Sequence, residues 1–369
     1  MSRSYDLVVY GATGYLGSLV VQYLWAHGPP ALRWAVAGRS GQKLATLVNS
    51  LDRKTADRNL PDTMVTTLAE GDLGRMASQT SLVLNTVGII PQCAVESSPP
   101  DLMTLLMART LQRPLGPMFF TIQHSWTGFS GGTIASIFAG LETYSLRQMM
   151  AAGAPGASCI SDAGPHRPHS APMLPVRRDR FLGDVTFNPS AMADQNVVMR
   201  TWSLLNRYGE KNEQYGTRFS FQGYTAADSR LGAWSSFLTM SVAILCTVLF
   251  PPFRWLLQWL SPEPGTGPQL NSGEKHFVEW KATVAADGTD VHEPSALGVM
   301  RMDTDVYSVC ATFVSEAALT FLLVLTGKSE DSLAEKLGGG ILTPASLGIT
   351  YVERLEKAGL HWTVTEVKS

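Results

Sequence analysis

Gly11, Gly14 and Gly17 stand three residues apart, directly behind the apolar run Leu7, Val8, Val9 and Tyr10. That pattern suits phosphate binding. The first glycine lets a strand turn sharply, the second lets the backbone approach a pyrophosphate, and the third lets the next helix pack closely; the helix N-terminus then offers free N–H groups and a positive dipole end. Ala12, Thr13, Tyr15 and Leu16 fill the turn and are candidate contacts for the same ligand. At the end of the second strand a dinucleotide-binding fold usually places a carboxylate for the ribose 2′-OH. Here the sequence reads Gly38-Arg39-Ser40, with Lys43 just beyond. Cations there favour a 2′-phosphate, so NADP(H) is the expected cofactor; the plain alternative makes Arg39 a solvated strand-end cation.

Further polar residues fall at strand ends. Asp72 either reaches the adenine amino group or caps the short helix that follows it. Asn85, Thr86 and Gly88 close a fourth apolar run, at the carboxyl end of a parallel strand where such folds bind ligands. Proton donors are harder to find. Tyr144, His124, Glu96 and Ser97 are candidates, but none lies in a spacing that demands catalysis, and no catalytic residue is named. Neither a Tyr-x-x-x-Lys arrangement nor a G-x-S-x-G elbow is present. His166 and His169 stand three apart near Arg177, Arg178 and Arg180, yet the stretch is proline-rich and lacks a third ligand at fixed distance, so a solvated loop is expected and no metal site.

The elements that must hold these residues follow from pattern. Residues 7–10, 33–39, 63–69 and 81–87 read as strands, with helices between them, which makes βαβ units and a parallel sheet. Residues 102–110 and 134–149 read as helices around a strand at 119–127. Ser130 to Thr133 (SGGT) opens the second of these, with substrate-side contact as a secondary role. A loop at 151–180 precedes a helix from 188 to about 206 and a strand at 217–224. Strands at 273–288 and 297–302 form a hairpin, 303–326 is an apolar helix, and a last helix and strand end near 357 and 367.

Residues 231–253 carry no charge between Arg230 and Arg254. Pro251-Pro252 breaks the run, and Trp255 and Trp259 follow, aromatic residues suited to a headgroup region. The segment 231–260 is open to three readings: a pair dipping into one leaflet, an apolar dimer interface, or soluble core.

Composition narrows the classes. The chain has 369 residues, enough for two domains, and a net charge of −2 that argues against nucleic acid as the main partner. Its four cysteines lie far apart, so neither a disulfide framework nor a zinc site is indicated, and a reducing compartment fits. No basic-then-apolar leader follows Met1, so an intracellular protein, not a secreted one, is expected.

Together GATGYLG (11–17), VAGRS (36–40), NTVG (85–88), PQC (91–93), SGGT (130–133), PEPGTGP (262–268) and the tail at 339–360 resemble the saccharopine dehydrogenase-like oxidoreductases, a family that includes trans-acting enoyl reductases serving polyketide synthases. The motifs span nearly the whole chain in the family's order. The resemblance implies a Rossmann-type nucleotide domain joined to a second α/β domain, and NADPH-type chemistry. One departure stands out: after Gly88 the chain runs at once into Ile89-Ile90-Pro91-Gln92-Cys93, where the family has roughly fifty further residues, the length of one to two βα units. The block would supply more strands and one wall of the crevice, and its loss leaves a sheet edge to be covered. A mis-spliced or decayed gene is the other explanation.

The expectations are therefore these. The fold class is α/β, a Rossmann-type parallel sheet that is truncated, with a second α+β domain. The dinucleotide-binding domain covers 1–98, completed by about 335–369; the second domain covers 99–334, with a mobile loop at 151–180 and the hydrophobic segment 231–260. The function is an NADPH-dependent enoyl-type reductase acting on an apolar or carrier-tethered, polyketide-like substrate, alone, as a homodimer or with a synthase partner, in the cytoplasm or peripheral to a membrane or lipid droplet. The alternative is a catalytically impaired, membrane- or lipid-droplet-associated protein with a relic nucleotide site.

Overall fold

The computed structural model describes residues 3–52, 58–87, 97–125, 127–168, 174–269, 274–289, 293–328 and 332–367. Its first part alternates strand and helix: β1 (Tyr5–Tyr10), α1 (Tyr15–His27), β2 (Trp34–Gly38), α2 (Gly41–Asn49), β3 (Asp62–Val65), α3 (Glu70–Gln79) and β4 (Thr80–Asn85). The four strands form one parallel sheet in the order β3-β2-β1-β4, with Val9 opposite both Val36 and Leu84. β1 is apolar without alternation because both of its faces are covered. Leu7 and Val9 face α1 and α2 beside Val20, Leu24, Leu44 and Val48, whereas Val8 and Tyr10 face Met76 of α3. Among the described residues β4 pairs only with β1.

The second part comprises α4 (Ser98–Leu111), β5 (Leu115–His124), α5 (Gly131–Thr143), α6 (Leu146–Ala152), β6 (Val176–Asp179), β7 (Gly183–Phe187), α7 (Ala191–Tyr208), β8 (Ser220–Ala227), α8 (Arg230–Leu249), α9 (Pro251–Leu260), β9 (Val278–Ala286), β10 (Ala296–Met302), α10 (Val306–Leu325), α11 (Leu333–Leu337), a 3-10 turn (Pro344–Leu347), α12 (Ile349–Lys357) and β11 (His361–Glu366). Its seven strands make a mixed sheet, ordered β11-β10-β9-β5-β8-β7-β6, in which only β5 and β8 run parallel. Phe120, Trp280 and Met300 on one face pack with Met103, Trp202, Phe313 and Tyr351 from the helices. Phe119 and Tyr224 on the other face join Leu182 and Val185 in a smaller cluster.

Helix α10 joins the two parts. Ala311, Ala318 and Leu319 complete the core of the four-stranded sheet, while Val309, Phe313 and Ala317 belong to the core of the seven-stranded one. Buried Glu316 ties three helices: it accepts from Tyr23 Oη of α1 at 2.8 Å and pairs with Arg354 of α12 at 2.6 Å. The long apolar run after Asp305 is thus a core helix, although it has the length and composition of a membrane span.

Three expectations change. Residues 335–369 do not complete the first domain, because β11 pairs with β10 at the edge of the second sheet and α10 supplies the missing cover. The predicted loop at 151–180 contains β6, held by four register pairs to β7. The helix expected over 134–149 is two, because Ser145 accepts from Gln148 N and Gln148 returns to Ser145 N, a capping box that starts α6.

Candidate cofactor-binding site

The glycine turn has the geometry its spacing predicts, and the three glycines do different work. Gly11 sits at φ +83°, where side chains are strained, and a Cβ on it would meet Val87 Cγ2 at 2.5 Å. A Cβ on Gly17 would lie 2.2 Å from Gly11 O and 2.9 Å from Thr86 Oγ1, so this glycine permits the contact of α1 with the turn. A Cβ on Gly14 would meet only Gly11 O, at 3.2 Å, and otherwise open space. Gly14 is the N-cap of α1, with no side chain bonded to the helix's first N–H groups. The cradle thus presents free donors at a positive dipole end, beside a face that a side chain would fill. That is what a pyrophosphate needs.

The β2 end lies alongside. Gly11 N and Ala12 N both donate to Ala37 O, at 2.9 and 3.2 Å, which fixes the turn against β2. Arg39 and Lys43 are exposed, and among the described residues neither forms an ion pair. Ser40 caps α2, its Oγ accepting from Lys43 N at 3.3 Å. Thr86 locks the end of β4 to β1, its amide and its hydroxyl both donating to Tyr10 O at 2.9 and 2.8 Å. Asn85 Oδ1 accepts from Val87 N at 2.9 Å and shapes the turn that follows. Gly88 and Glu96 lie outside the described residues, as does His169.

Asp72 neither caps α3 nor stands free. Its carboxylate accepts from Thr67 N at 3.1 Å and Thr67 Oγ1 at 2.6 Å and pairs with Arg75. The Thr67 bonds, more than Arg75, hold its pKa below the usual carboxylate range. Leu16 packs into both cores and Thr13 borders Gly38, so these two are supports of the turn.

Two distant motifs close on the cradle. The 262–268 segment crosses it: Tyr15 Oη donates to Pro268 O at 2.8 Å, and a Cβ on Gly267 would lie 2.5 Å from the Tyr15 ring. The SGGT turn meets the same strap, with Gly131 N donating to Thr266 O at 3.0 Å. Tyr307, at the start of α10, joins them. Its ring stands edge-on to Tyr15 at 5.1 Å, and its hydroxyl accepts from Ser130 N at 2.6 Å. Asp305 fixes Tyr307 by accepting from its N–H at 2.9 Å. Burial, followed by the nearby Asp305, raises the Tyr15 pKa. Sequence reasoning missed Tyr307; Asp305 two residues before it, as an N-cap, was the one available signal.

The proton-donor candidates do not converge. Tyr144 is exposed at the end of α5, His124 lies at the end of β5 with Nδ1 3.1 Å from Ser125 O, and Ser97 is buried at the start of α4. His166 packs on Trp202 at 4.4 Å, with Nε2 2.8 Å from Phe219 O. Two cavities of about 320 and 330 Å3 open elsewhere, the first beside Arg177, Arg178 and Arg180, the second beside Cys159, Asn196 and Arg200. Neither borders the glycine turn.

No family model matches the chain. A Mycobacterium tuberculosis protein named, provisionally, a trans-acting enoyl reductase is 26% identical, over 100% of this chain and 99% of its own length. That alignment runs over 433 positions against the 369 residues here, so the relative carries residues with no counterpart in this chain. A lipid droplet localized protein of Caenorhabditis elegans is 41% identical over 91 residues, which is 24% of this chain and 21% of that protein. Apo saccharopine dehydrogenase of Saccharomyces cerevisiae aligns over 98% of this chain and 100% of its own at 12% identity and a TM-score of 0.36, a likeness too low to argue from. Motif order and full-length relationship agree: the chain is similar along its whole length to the trans-acting enoyl reductases.

Proposed function

We propose that the protein is an NADPH-dependent reductase of an apolar or carrier-tethered substrate, enoyl-type as in its relative. The observation that carries this is the open face at Gly14 with Arg39 and Lys43 beside it. The residues fit a phosphorylated dinucleotide: the turn from Gly11 to Gly17 holds the pyrophosphate, and Arg39, Ser40 and Lys43 hold the 2′-phosphate. When bound, the cofactor supplies hydride. The chain's own contribution is positional: Thr86 fixes the strand end, and the strap at 262–268, pinned by Tyr15 and Gly131, lies across the cradle. The synthase-like partner and the polyketide-like substrate are inferred from the relative's name.

Fluorescence titration of the full chain with NADPH and NADH tests this. Tighter binding of NADPH supports it; equal or absent binding of both defeats it. A second reading, a relic site in a protein that no longer turns over, is favoured by β4 standing at the sheet edge. NADPH binding without oxidation across a panel of enoyl thioesters selects it. In either case we place the protein inside the cell, cytoplasmic or peripheral to a membrane or lipid droplet.

A further inference from the structure

We infer that α8 and α9 form a re-entrant hairpin that docks the protein on a lipid surface by inserting into a single leaflet. The inference rests on the hairpin's own geometry and not on the cofactor, and it gives the peripheral placement proposed above a physical basis. Of the twenty residues of α8 only Ala233 is buried. Its exposed apolar side chains are not confined to one stripe: Leu238, Val242, Leu245 and Leu249 share one face, while Met240 and Ile244 stand on the opposite side. A protein groove covers one face of a helix, whereas acyl chains surround it. Trp255 and Trp259 of α9 are 68% and 80% exposed and four residues apart, on one side of the returning arm.

Three polar side chains of the hairpin are bonded within it, as a lipid environment favours. Thr247 Oγ1 donates to Ala243 O at 2.7 Å and Ser261 Oγ to Leu257 O at 2.5 Å. Arg254, the charge nearest the tip, folds back so that Nε and Nη2 donate to Thr247 O and Val248 O, both at 2.5 Å. It thereby caps the carbonyls at the end of α8 and sits at the negative end of its dipole. In water those carbonyls would need no such partner.

Both ends of the hairpin return to the body. Thr186 Oγ1 of β7 donates to Ala233 O at 3.0 Å, and α9 leads through 262–268 to Tyr15. A span would leave one end on the far side of the bilayer, so insertion is from one side only. Helix α8 is about 30 Å long, and its tip, from Leu249 to Phe253, contains no polar side chain. Such a tip belongs in hydrocarbon and not at an opposing headgroup layer.

Flotation of the full chain with phosphatidylcholine vesicles tests the inference. The wild type is expected to rise with the vesicles, and the L238D/L245D variant, altered at exposed positions, to remain at the bottom with an unchanged far-UV circular dichroism spectrum. If that variant misfolds, W255S/W259S is the substitute, with at least a tenfold drop in floated fraction expected. A wild type that stays at the bottom overturns the inference, as does a variant that floats equally. So does a lipid-free wild-type dimer that the same substitutions convert to monomer, since a second copy is then the occupant. Cell fractionation tests peripheral placement separately: a protein that floats in vitro yet is wholly soluble in cells defeats that placement and leaves the docking surface standing.

Discussion

At the level of single residues, the glycine turn separates folding from binding. A methyl group on Gly17 collides with Gly11 O at 2.2 Å, and backbone cannot move aside cheaply. Gly17→Ala is expected to cost about 2–4 kcal/mol, through overpacking at the strand-helix contact, and to abolish NADPH binding with it. Gly14 has φ −73° and meets one atom at 3.2 Å. Gly14→Ala should keep the melting temperature within a few degrees yet weaken NADPH binding at least tenfold, because the methyl group occupies the open face. Parallel thermal melts and fluorescence titrations check the pair; equal effects of the two substitutions would refute the assignment of the open face to a ligand. Arg39→Ser should raise the dissociation constant for NADPH about 10- to 100-fold, the loss of one charge-assisted hydrogen bond of roughly 1.5–3 kcal/mol, with little change for NADH. A variant that loses both cofactors equally points away from the 2′-phosphate.

Among the elements, Asp101 shows how a residue can be misread from sequence. Directly after two prolines and before an apolar run, it has the look of an N-cap. In the structure α4 begins at Ser98, and Asp101 is wholly buried, accepting from Thr201 Oγ1 at 2.6 Å and from Ala345 N at 2.7 Å. It ties α4 to α7 and to the 3-10 turn, a long-range role that local pattern does not carry. Burial pushes its pKa up to about 7 against the bonds that favour the charged form. The unfolded carboxyl titrates near 4, so between about pH 4 and 7 the folded chain holds a proton that the unfolded chain has lost. Stability therefore falls as pH rises through that window and levels off above it, by a few kcal/mol at most. Asp101→Asn, which can still accept from Ala345 N, should remove that slope: melts at pH 5 and pH 8 should differ less in the variant than in the wild type. An identical pH dependence in both would show that other groups set it. The same scale governs the strap at 262–268, where a methyl on Gly267 would strike the Tyr15 ring. Gly267→Ala is expected to lift the strap and weaken NADPH binding severalfold while leaving the two cores intact; an unchanged affinity would mean that the strap does not cover the cradle.

Across the whole molecule, most of the strands were legible because each is a short apolar run between turn residues, and the glycine turn because its glycines act locally. What was not legible depends on partners distant in the chain. Tyr307 reaches Ser130 and Tyr15 only after folding, and β11 pairs with β10, contrary to the expectation that the tail completes the first domain. Helix α10 is the clearest case. Its apolarity was plain in the sequence, but only the fold shows that one side serves each sheet. A shared helix predicts shared unfolding. Phe313→Ala, which removes a ring packed at 6.0 Å from Trp280 and 6.5 Å from Tyr351, should cost about 3–5 kcal/mol. Although Phe313 belongs to the second core, hydrogen exchange should then quicken in β1 peptides as much as in β9 peptides, since loss of α10 uncovers both sheets. Faster exchange confined to β9 would mean that the four-stranded sheet stands without α10. That sheet would then be held by α1, α2 and α3 alone, and the edge at β4 would have no structural cover from the C-terminal half.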